Sequence, residues 1–208
     1  MTDDRRLDRD WLAIETLEAA QRLLGCFLAT ERGARCVGRI VETEAYLGQG
    51  DLASHAAKQR TGRATIMSDR PGLAYVYRSY GMHAMINVVA KPEGATGAVL
   101  VRALEPVDGL DLMRRRRGIE PERLLCSGPG RLCQALGVTL DDHAVDLITA
   151  ADLYLLDGPR PVSTMAGPRI GITRAVDAPY RFFDAGSPYV SAHRRGMPVE
   201  ASPPGALP

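Results

Sequence analysis

The feature that most constrains the fold is a series of β-type segments whose connections are too short for a crossover helix. One pair comprises Cys26–Thr30 and Cys36–Tyr46, with a turn around Arg32-Gly33. Strands joined so closely pair antiparallel, because parallel neighbours need a connection of about a dozen residues or more. A second set, joined by turns at residues 80–83 and 91–97, comprises Leu73–Ser79, Ala84–Val89 and Ala98–Leu104. The sequence therefore predicts a mostly antiparallel sheet.

Helical segments accompany these strands. Apolar residues recur at helical spacing from Trp11 to Leu24, and Gly25 is the predicted end of that helix. Two short helices are predicted near Leu110–Arg116 and Gly130–Leu136, and later strands at Leu153–Leu156 and Arg169–Thr173. Hairpins mixed with separate helices are typical of the α+β class. We predict a single domain over residues 1–197, with a curved sheet, a protruding β-hairpin and flanking helices, and a flexible proline-rich tail at 198–208.

Composition excludes some classes of protein. No run approaches the roughly 18 apolar residues of a membrane span, and the charged start MTDDRRLDRDW has no signal-peptide core. The four cysteines form no CxxC pair, which favours reduced thiols in the cytoplasm. A net charge of +1 neither indicates nor excludes a nucleic-acid partner, since a local basic face matters more. Lys58 and Lys91 are the only lysines, and all other cationic side chains of the Lys/Arg type are arginines. This excess of arginine suits phosphate contacts, but the base composition of the genome would explain it equally well.

Residues 41–48, VETEAYLG, are the densest candidate for chemistry. Strand alternation places Glu42, Glu44 and Tyr46 on one face. One interpretation is a solvated edge strand. The other is a catalytic carboxylate at a strand end, because the long polar loop over residues 47–72 follows directly and carries Asp51 and His55.

A tyrosine run in residues 74–83 is the second candidate. Tyr75 and Tyr77 share a strand face, and a core position would explain Tyr75. Tyr80 stands at the hairpin turn, where an aromatic ring exposes apolar surface unless a partner such as a nucleic-acid base covers it.

Two polar side chains lie within apolar strands. Arg102, in VLVRALEP, requires a partner if it is buried, and Glu42, Glu44 or Glu105 would serve. Asn87, in INVV, must form hydrogen bonds or line a cavity.

Other motifs indicate less. His55 and His83 show no metal-ligand spacing, so no metal site is predicted. Residues 127–130, SGPG, lack the P-loop pattern but precede a helix whose N-terminus, with Arg131, would suit a phosphate. The Arg114–Arg117 run is interpreted as a solvated helix face.

Taken in order, several segments resemble the alkyladenine (3-methyladenine) DNA glycosylase family of the bacterial type. They are RIVETEAYLG, Asp51-x-x-x-His55, AYVYRSYGMHAMIN, VLVRALEP, SGPGRLCQALG and PRIGITRA. The resemblance covers roughly residues 11–195. It implies a monofunctional hydrolase of base excision repair that flips alkylated or deaminated purines from double-stranded DNA and cuts their N-glycosidic bond.

The resemblance also implies a role for each matching residue. Glu44 would activate a water, held with Arg102 and the backbone carbonyl of Ile170. The base pocket would be formed by Tyr46, His55, Tyr77 and Asn87. Tyr80 and Met82 would intercalate into the DNA. The phosphate contacts would be made by Thr61, Arg63 and Arg131. The expected protein needs no cofactor, acts as a monomer without a membrane, and works in the cytoplasm at the nucleoid.

The sequence departs from the family where the loop reads RTGRA followed by Met67-Ser68 instead of RTPRN followed by Met-Phe, which leaves the lesion preference open. Two alternatives remain. One is a protein that binds damaged DNA without cutting it. The other is a carbohydrate glycosidase using Glu42 and Glu44, since same-face neighbours on a strand are about 7 Å apart.

Overall fold

The computed structural model describes residues 5–58, 62–79, 81–191 and 196–199, and its centre is one antiparallel sheet. The strands in this part of the chain are β1 (Phe27–Thr30), β2 (Cys36–Leu47), β3 (Ala74–Ser79), β4 (His83–Val89), β5 (Gly97–Asp108), β6 (Leu153–Leu156), β7 (Thr164–Gly167), β8 (Arg181–Asp184) and β9 (Met197–Pro198). Their order is β3-β4-β5-β2-β8-β7-β9, while β1 pairs with both β2 and β6. The predicted hairpin of β1 and β2 and the predicted strands β3 to β6 are present.

Helices surround this sheet, so the predicted α+β class is confirmed. They are α1 (Thr16–Arg22), α2 (His55–Lys58), α3 (Leu110–Arg117), α4 (Glu122–Leu125) and α5 (Pro129–Leu136), with 3₁₀ turns at Asp10–Leu12, Gly62–Ser68 and Leu140–Asp142. The predictions for α3 and α5 agree with the structure to within one residue at either end.

β2 is the central strand. Its first four residues pair with β1, nearly its whole length pairs with β5, and residues 42–44 also pair with β8. Because neighbouring strands cover both edges at this point, Glu42, Thr43 and Glu44 are fully buried. The interpretation of VETEAYLG as a solvated edge strand is therefore wrong.

Strand alternation divides the sheet into two faces. One face carries Ala45, Val76, Ile86, Val88, Val99 and Val101, which belong to the main core together with α1 and α5. The apolar side of α5 contributes Leu132 and Leu136 to this core. Burial of these side chains fixes the register of β2 to β5, because a shift by one residue would move each strand's apolar set to the other face.

The opposite face is covered by the segment that follows β2. Its 3₁₀ turn at Gly62–Ser68 places Ile66 and Met67 in a second apolar cluster with Tyr75 and Val89, and Tyr46 and Tyr77 pack against that cluster. The predicted long loop at 47–72 is thus partly ordered by its own helix and turn. It forms one wall of the space above the sheet.

Two sequence predictions were wrong. Arg169–Thr173 is not a strand, because Gly171 has a left-handed φ of 77° that breaks the extended conformation, and β7 and β8 lie on either side of it. The predicted helix from Trp11 to Leu24 is divided at Glu15, whose ψ of 132° is extended, so that only Thr16–Arg22 is α-helical.

The end of the chain is described only in part. Met197–Pro198 pairs with β7, so the segment predicted to be a tail begins with a strand residue, and residues 200–208 lie outside the described part. No helix among the described residues is long and apolar enough to cross a membrane.

Candidate active site

Glu44 lies near the middle of β2, on the face opposite the main core. In the sheet it is opposite Leu100 of β5 and Arg181 of β8. Its Oε1 is 3.1 Å from Nη1 of Arg102 and accepts a 2.7 Å hydrogen bond from the backbone N–H of Ile170. Its Oε2 accepts a 2.8 Å hydrogen bond from the hydroxyl of Tyr46. The carboxylate is therefore held by three donors from three separate segments.

The electrostatics of Glu44 are set by opposing effects. Burial raises the pKa of Glu44 above its ordinary value, and the Arg102 guanidinium, the Ile170 N–H and the Tyr46 hydroxyl oppose that rise. Burial and the neighbouring Glu44 carboxylate raise the pKa of Tyr46, so its hydroxyl stays protonated and can donate. A carboxylate placed in this way is a base with tightly fixed orientation.

Arg102 lies between Glu42 and Glu44 of β2, two of the partners that the sequence allowed; the third, Glu105, is bound by Arg39. Its Nε is 3.4 Å from Oε1 of Glu42, in addition to its contact with Glu44. Glu42 is further bound by Nη1 of Arg181 at 2.9 Å and by the backbone N–H and Oγ of Ser191 at 2.8 and 2.9 Å. Sequence analysis missed Arg181 and Ser191, since both lie more than 130 residues from Glu42.

A cavity of about 730 Å³ opens above Glu44. Tyr46, Arg102 and Ile170 line it, so each group that binds the Glu44 carboxylate also faces the cavity, while Glu44 itself lies behind them and is fully buried. The carboxylate is one hydrogen bond away from the cavity surface. A ligand or water that displaced one of those bonds would contact it directly.

Aromatic rings form the wall beside the carboxylate. Nδ1 of His55 lies 2.8 Å from the hydroxyl of Tyr75, and the His55 and Tyr77 rings meet edge-on with centroids 4.6 Å apart. Tyr75 and Tyr77 are neighbours at 5.3 Å, and Tyr46 completes the set. Such a wall suits a flat, aromatic ligand. The interpretation of Tyr75 as a core residue was incomplete, because Tyr75 is buried yet lines the cavity.

Asn87 also lines the cavity. It is opposite Tyr75 in β3 and Leu100 in β5, and its Nδ2 donates a 3.0 Å hydrogen bond to the Tyr75 carbonyl oxygen. A single fixed amide in a largely apolar and aromatic wall is the kind of polar group that orients a ligand.

The rim of the cavity is positively charged. Arg117 at the end of α3, Arg131 on α5 and Arg174 all line it, beside the N-terminus of α5. Burial and the positive charge of Arg131 lower the pKa of Arg117. Nη1 of Arg131 is also 3.1 Å from Oγ of Ser127. This rim suits an anion such as a phosphate.

Arg63 and Met82 do not line the cavity. Arg63 donates to the Leu140 carbonyl oxygen at 3.0 Å and is not among the lining residues. Met82 is 79% exposed at the turn between β3 and β4. Tyr80 and Thr61 lie outside the described residues.

The Arg114–Arg117 run was interpreted wrongly as a solvated face. Arg116 and Arg117 turn inward and donate to the carbonyl oxygens of Ala135 and Leu125, both at 3.0 Å, while Arg115 is exposed. Guanidinium groups that satisfy buried carbonyls at helix ends explain why a run of like charges is tolerated here.

Another buried ion pair, between Arg169 and Asp51, lies beside the site. Arg169 and Asp51 form a two-pronged contact, with nitrogen–oxygen distances of 2.6 and 2.7 Å, in which both side chains are inaccessible to solvent. Burial would raise the pKa of Asp51, but Arg169 and the backbone N–H groups of Leu47 and Ala53 lower it below its usual value. The sequence placed Asp51 near the strand end but gave no signal for its partner.

The chain was compared with protein-family models and with known proteins, and both comparisons found matches. Residues 10–188 match the model of the methylpurine-DNA glycosylase family. A protein of Chlorobaculum parvum is 46% identical over 93% of this chain and 94% of its own length. Proteins of Nitrosospira multiformis and Methanoculleus marisnigri are each 47% identical over 85% of this chain, and over 89% and 94% of their own lengths respectively. All three carry the name "Putative 3-methyladenine DNA glycosylase".

Proposed function

The chain belongs to the methylpurine-DNA glycosylase family, and we propose that it is a monofunctional glycosylase which flips alkylated or deaminated purines out of duplex DNA and hydrolyses their N-glycosidic bond. The observation that carries this proposal is the Glu44 carboxylate, fixed by Arg102, Ile170 and Tyr46 behind an aromatic cavity. A purine inside a duplex is out of reach of any such group, so it must be extruded before the chemistry.

The proposed reaction uses the two functions of a carboxylate. Cleavage of the C1′–N bond develops positive charge on the sugar, which the negative Glu44 stabilises. Glu44 also accepts a proton from the water whose oxygen bonds to C1′, while the bonding electron pair leaves with the purine. A base that carries positive charge from alkylation departs neutral, whereas hypoxanthine requires a proton. None of these steps needs a metal or an organic cofactor.

The surrounding residues have proposed roles in binding. Tyr46, His55, Tyr77 and, by its position, Tyr75 would stack against the extruded base, and Asn87 would read its edge. Arg131 and Arg117 on the rim would contact backbone phosphate. Tyr80 and Met82 would fill the gap in the duplex, and Thr61 and Arg63 would add phosphate contacts. We propose a monomer that acts on nucleoid DNA in the cytoplasm.

The alternatives differ in what they require of the site. A carbohydrate glycosidase would need Glu42 as well as Glu44 at the ligand, yet Glu42 is bound by Arg181 and Ser191, which do not line the cavity. A protein that only binds damage would have no use for a buried carboxylate held by three donors, because burying such a charge costs stability.

The test is excision from duplexes that contain one hypoxanthine, one ethenoadenine or methylated purines. We expect abasic sites that break only after alkali treatment, in the presence of EDTA as well as without it. Tight binding with no base released would favour the binding protein. Strand breaks before alkali treatment would contradict the monofunctional assignment.

A further inference from the structure

Residues 168–170 lie beside Glu44 without belonging to a strand, yet three contacts fix them in place. The Ile170 N–H reaches Oε1 of Glu44 at 2.7 Å. Arg169, directly before it, is bound by Asp51 through both terminal nitrogens. The Pro168 carbonyl oxygen accepts a 3.0 Å hydrogen bond from Nε of Arg181.

The Asp51 pair connects this segment to the strand that carries Glu44. Nη1 of Arg169 also donates to the Ala45 carbonyl oxygen at 2.9 Å. Asp51 in turn accepts the backbone N–H groups of Leu47 and Ala53 at 3.0 and 3.2 Å. Arg169 is therefore bound both to the residue after Glu44 and to the loop that begins at the end of β2.

The pair has no direct access to a ligand. Arg169 and Asp51 have side chains 0% and 1% exposed, and neither lines the cavity. Removing two charges from water is costly, and well-packed apolar side chains often stabilise a fold as much as a buried ion pair does. A two-pronged ion pair differs from such a contact because it fixes direction as well as distance. The direction of the Ile170 N–H needs such a contact, because the segment is not held by strand pairing. Gly171, which follows Ile170 with a φ of 77°, breaks the extended conformation.

We propose that Arg169, held by Asp51, is a positioning residue that keeps the Ile170 N–H on the Glu44 carboxylate. This inference rests on the proposed function, since it assigns a use to the orientation of Glu44 in catalysis. It predicts that weakening the pair lowers the rate of the chemical step without weakening the binding of DNA.

The pH dependence of the excision rate distinguishes a positioning role from a structural one. It would not change if Arg169 only stabilised the fold. Glu44 is faced by Arg102 of β5, by Glu42 and Tyr46 of β2, and by the Ile170 N–H, with Arg169 close behind. The N–H stabilises the charged form of Glu44, so its loss raises the pKa of that carboxyl. The base form is needed for activity, so the rate falls as the pH drops through this pKa, and the acid limb of the pH profile moves to higher pH.

Arg169→Lys tests the proposal because it keeps the positive charge and removes the two-pronged contact. We expect the single-turnover release of methylated bases at neutral pH, with enzyme in excess, to fall about tenfold, as misplacement of a fixed group implies. The acid-side midpoint should rise by about one pH unit, and the affinity for the damaged duplex should change by less than about twofold.

Arg32→Lys is the matched control. Arg32 forms a similar two-pronged pair with the buried Asp142, in a part of the fold that does not line the cavity. The Arg32 variant should lower the melting temperature and leave the acid-side midpoint unchanged. If Arg169→Lys does not fold, Asp51→Glu, which displaces the carboxylate by one methylene group, provides the same comparison.

The outcomes separate the two proposals. Wild-type protein that releases no damaged base overturns the proposed function and this inference with it. Active wild type, together with an Arg169→Lys variant that has the wild-type rate and acid limb, overturns the positioning role alone. A midpoint that moves equally in Arg32→Lys also contradicts it, because the shift would then reflect general loosening.

Discussion

Glu44 is the residue on which the proposed chemistry depends most. Glu44→Gln keeps the size of the side chain and removes both the base and the negative charge. We expect single-turnover excision to fall by about 10² to 10⁴ from loss of the base, and further from loss of charge at the sugar. Affinity for the damaged duplex should stay within a few-fold of wild type. Excision at a rate near wild type would contradict the assignment of Glu44.

Asn87 is the residue proposed to discriminate between purines. Asn87→Ala removes the amide from the cavity wall, so guanine-type bases with a 2-amino group should be admitted more readily. The expected change in discrimination is about 1–3 kcal/mol. The measurement is the ratio of 7-methylguanine to 3-methyladenine released from the same methylated DNA.

This ratio has an internal control. Asn87 also donates to the Tyr75 carbonyl oxygen, so the substitution will cost about 0.5–1.5 kcal/mol of stability for the lost hydrogen bond. A loss of folded protein lowers both releases equally and leaves their ratio unchanged. An unchanged ratio would therefore remove Asn87 from base recognition.

At the scale of elements, the hairpin of β3 and β4 is the part proposed to enter the duplex. Its turn presents Met82, which is 79% exposed. Tyr80, two residues earlier in the chain, lies outside the described residues. Tyr80→Ala should weaken flipping of ethenoadenine in a duplex, measured by its fluorescence, because the vacated gap is no longer filled. The melting temperature of the protein should hardly change.

Single-stranded or bulged substrates provide the comparison for Tyr80→Ala. A lesion that is already unstacked needs no filled gap, so the variant should flip it almost as well as wild type does. An equal loss on stacked and unstacked lesions would count against the wedge. A large drop in melting temperature would indicate instead that Tyr80 packs within the protein.

The sequence predicted the elements whose side chains alternate cleanly and whose turns are short. β2 to β5 satisfy both conditions, and the same alternation predicted that Glu44 and Tyr46 share a face. It failed at Arg169–Thr173, where isoleucines at 170 and 172 imitate a strand but a left-handed glycine lies between them. It also gave no sign of the Asp51–Arg169 or Glu42–Arg181 pairs, because contacts across more than a hundred residues leave no local pattern.

For the whole molecule, charge is the property that most limits DNA binding. A net charge of +1 gives little long-range attraction, so affinity must come from local basic groups such as Arg117, Arg131 and Arg174 at the cavity. Arg131→Ala should weaken binding to damaged and undamaged duplexes alike. It should also reduce the slope of log affinity against log salt by about one.

Arg115→Ala is the matched control for this measurement. It removes the same charge from the exposed side of α3, away from the cavity. If net charge alone governed binding, both variants would lose affinity equally. We expect the Arg115 variant to keep the wild-type slope, and equal slopes in the two variants would remove Arg131 from the interface.

The position of Glu42 in the fold has a consequence for how the protein is made. Its carboxylate belongs to β2, whereas Arg181 and Ser191, which bind it, follow it by 139 and 149 residues along the chain. When the first 160 residues have been synthesised, β8 does not yet exist. Glu42 and Glu44, which are buried in the folded protein, then have Arg102 as their countercharge. We expect the sheet around Glu42 to close only after residues 181–191 have been synthesised, because contacts between residues far apart in the chain form late.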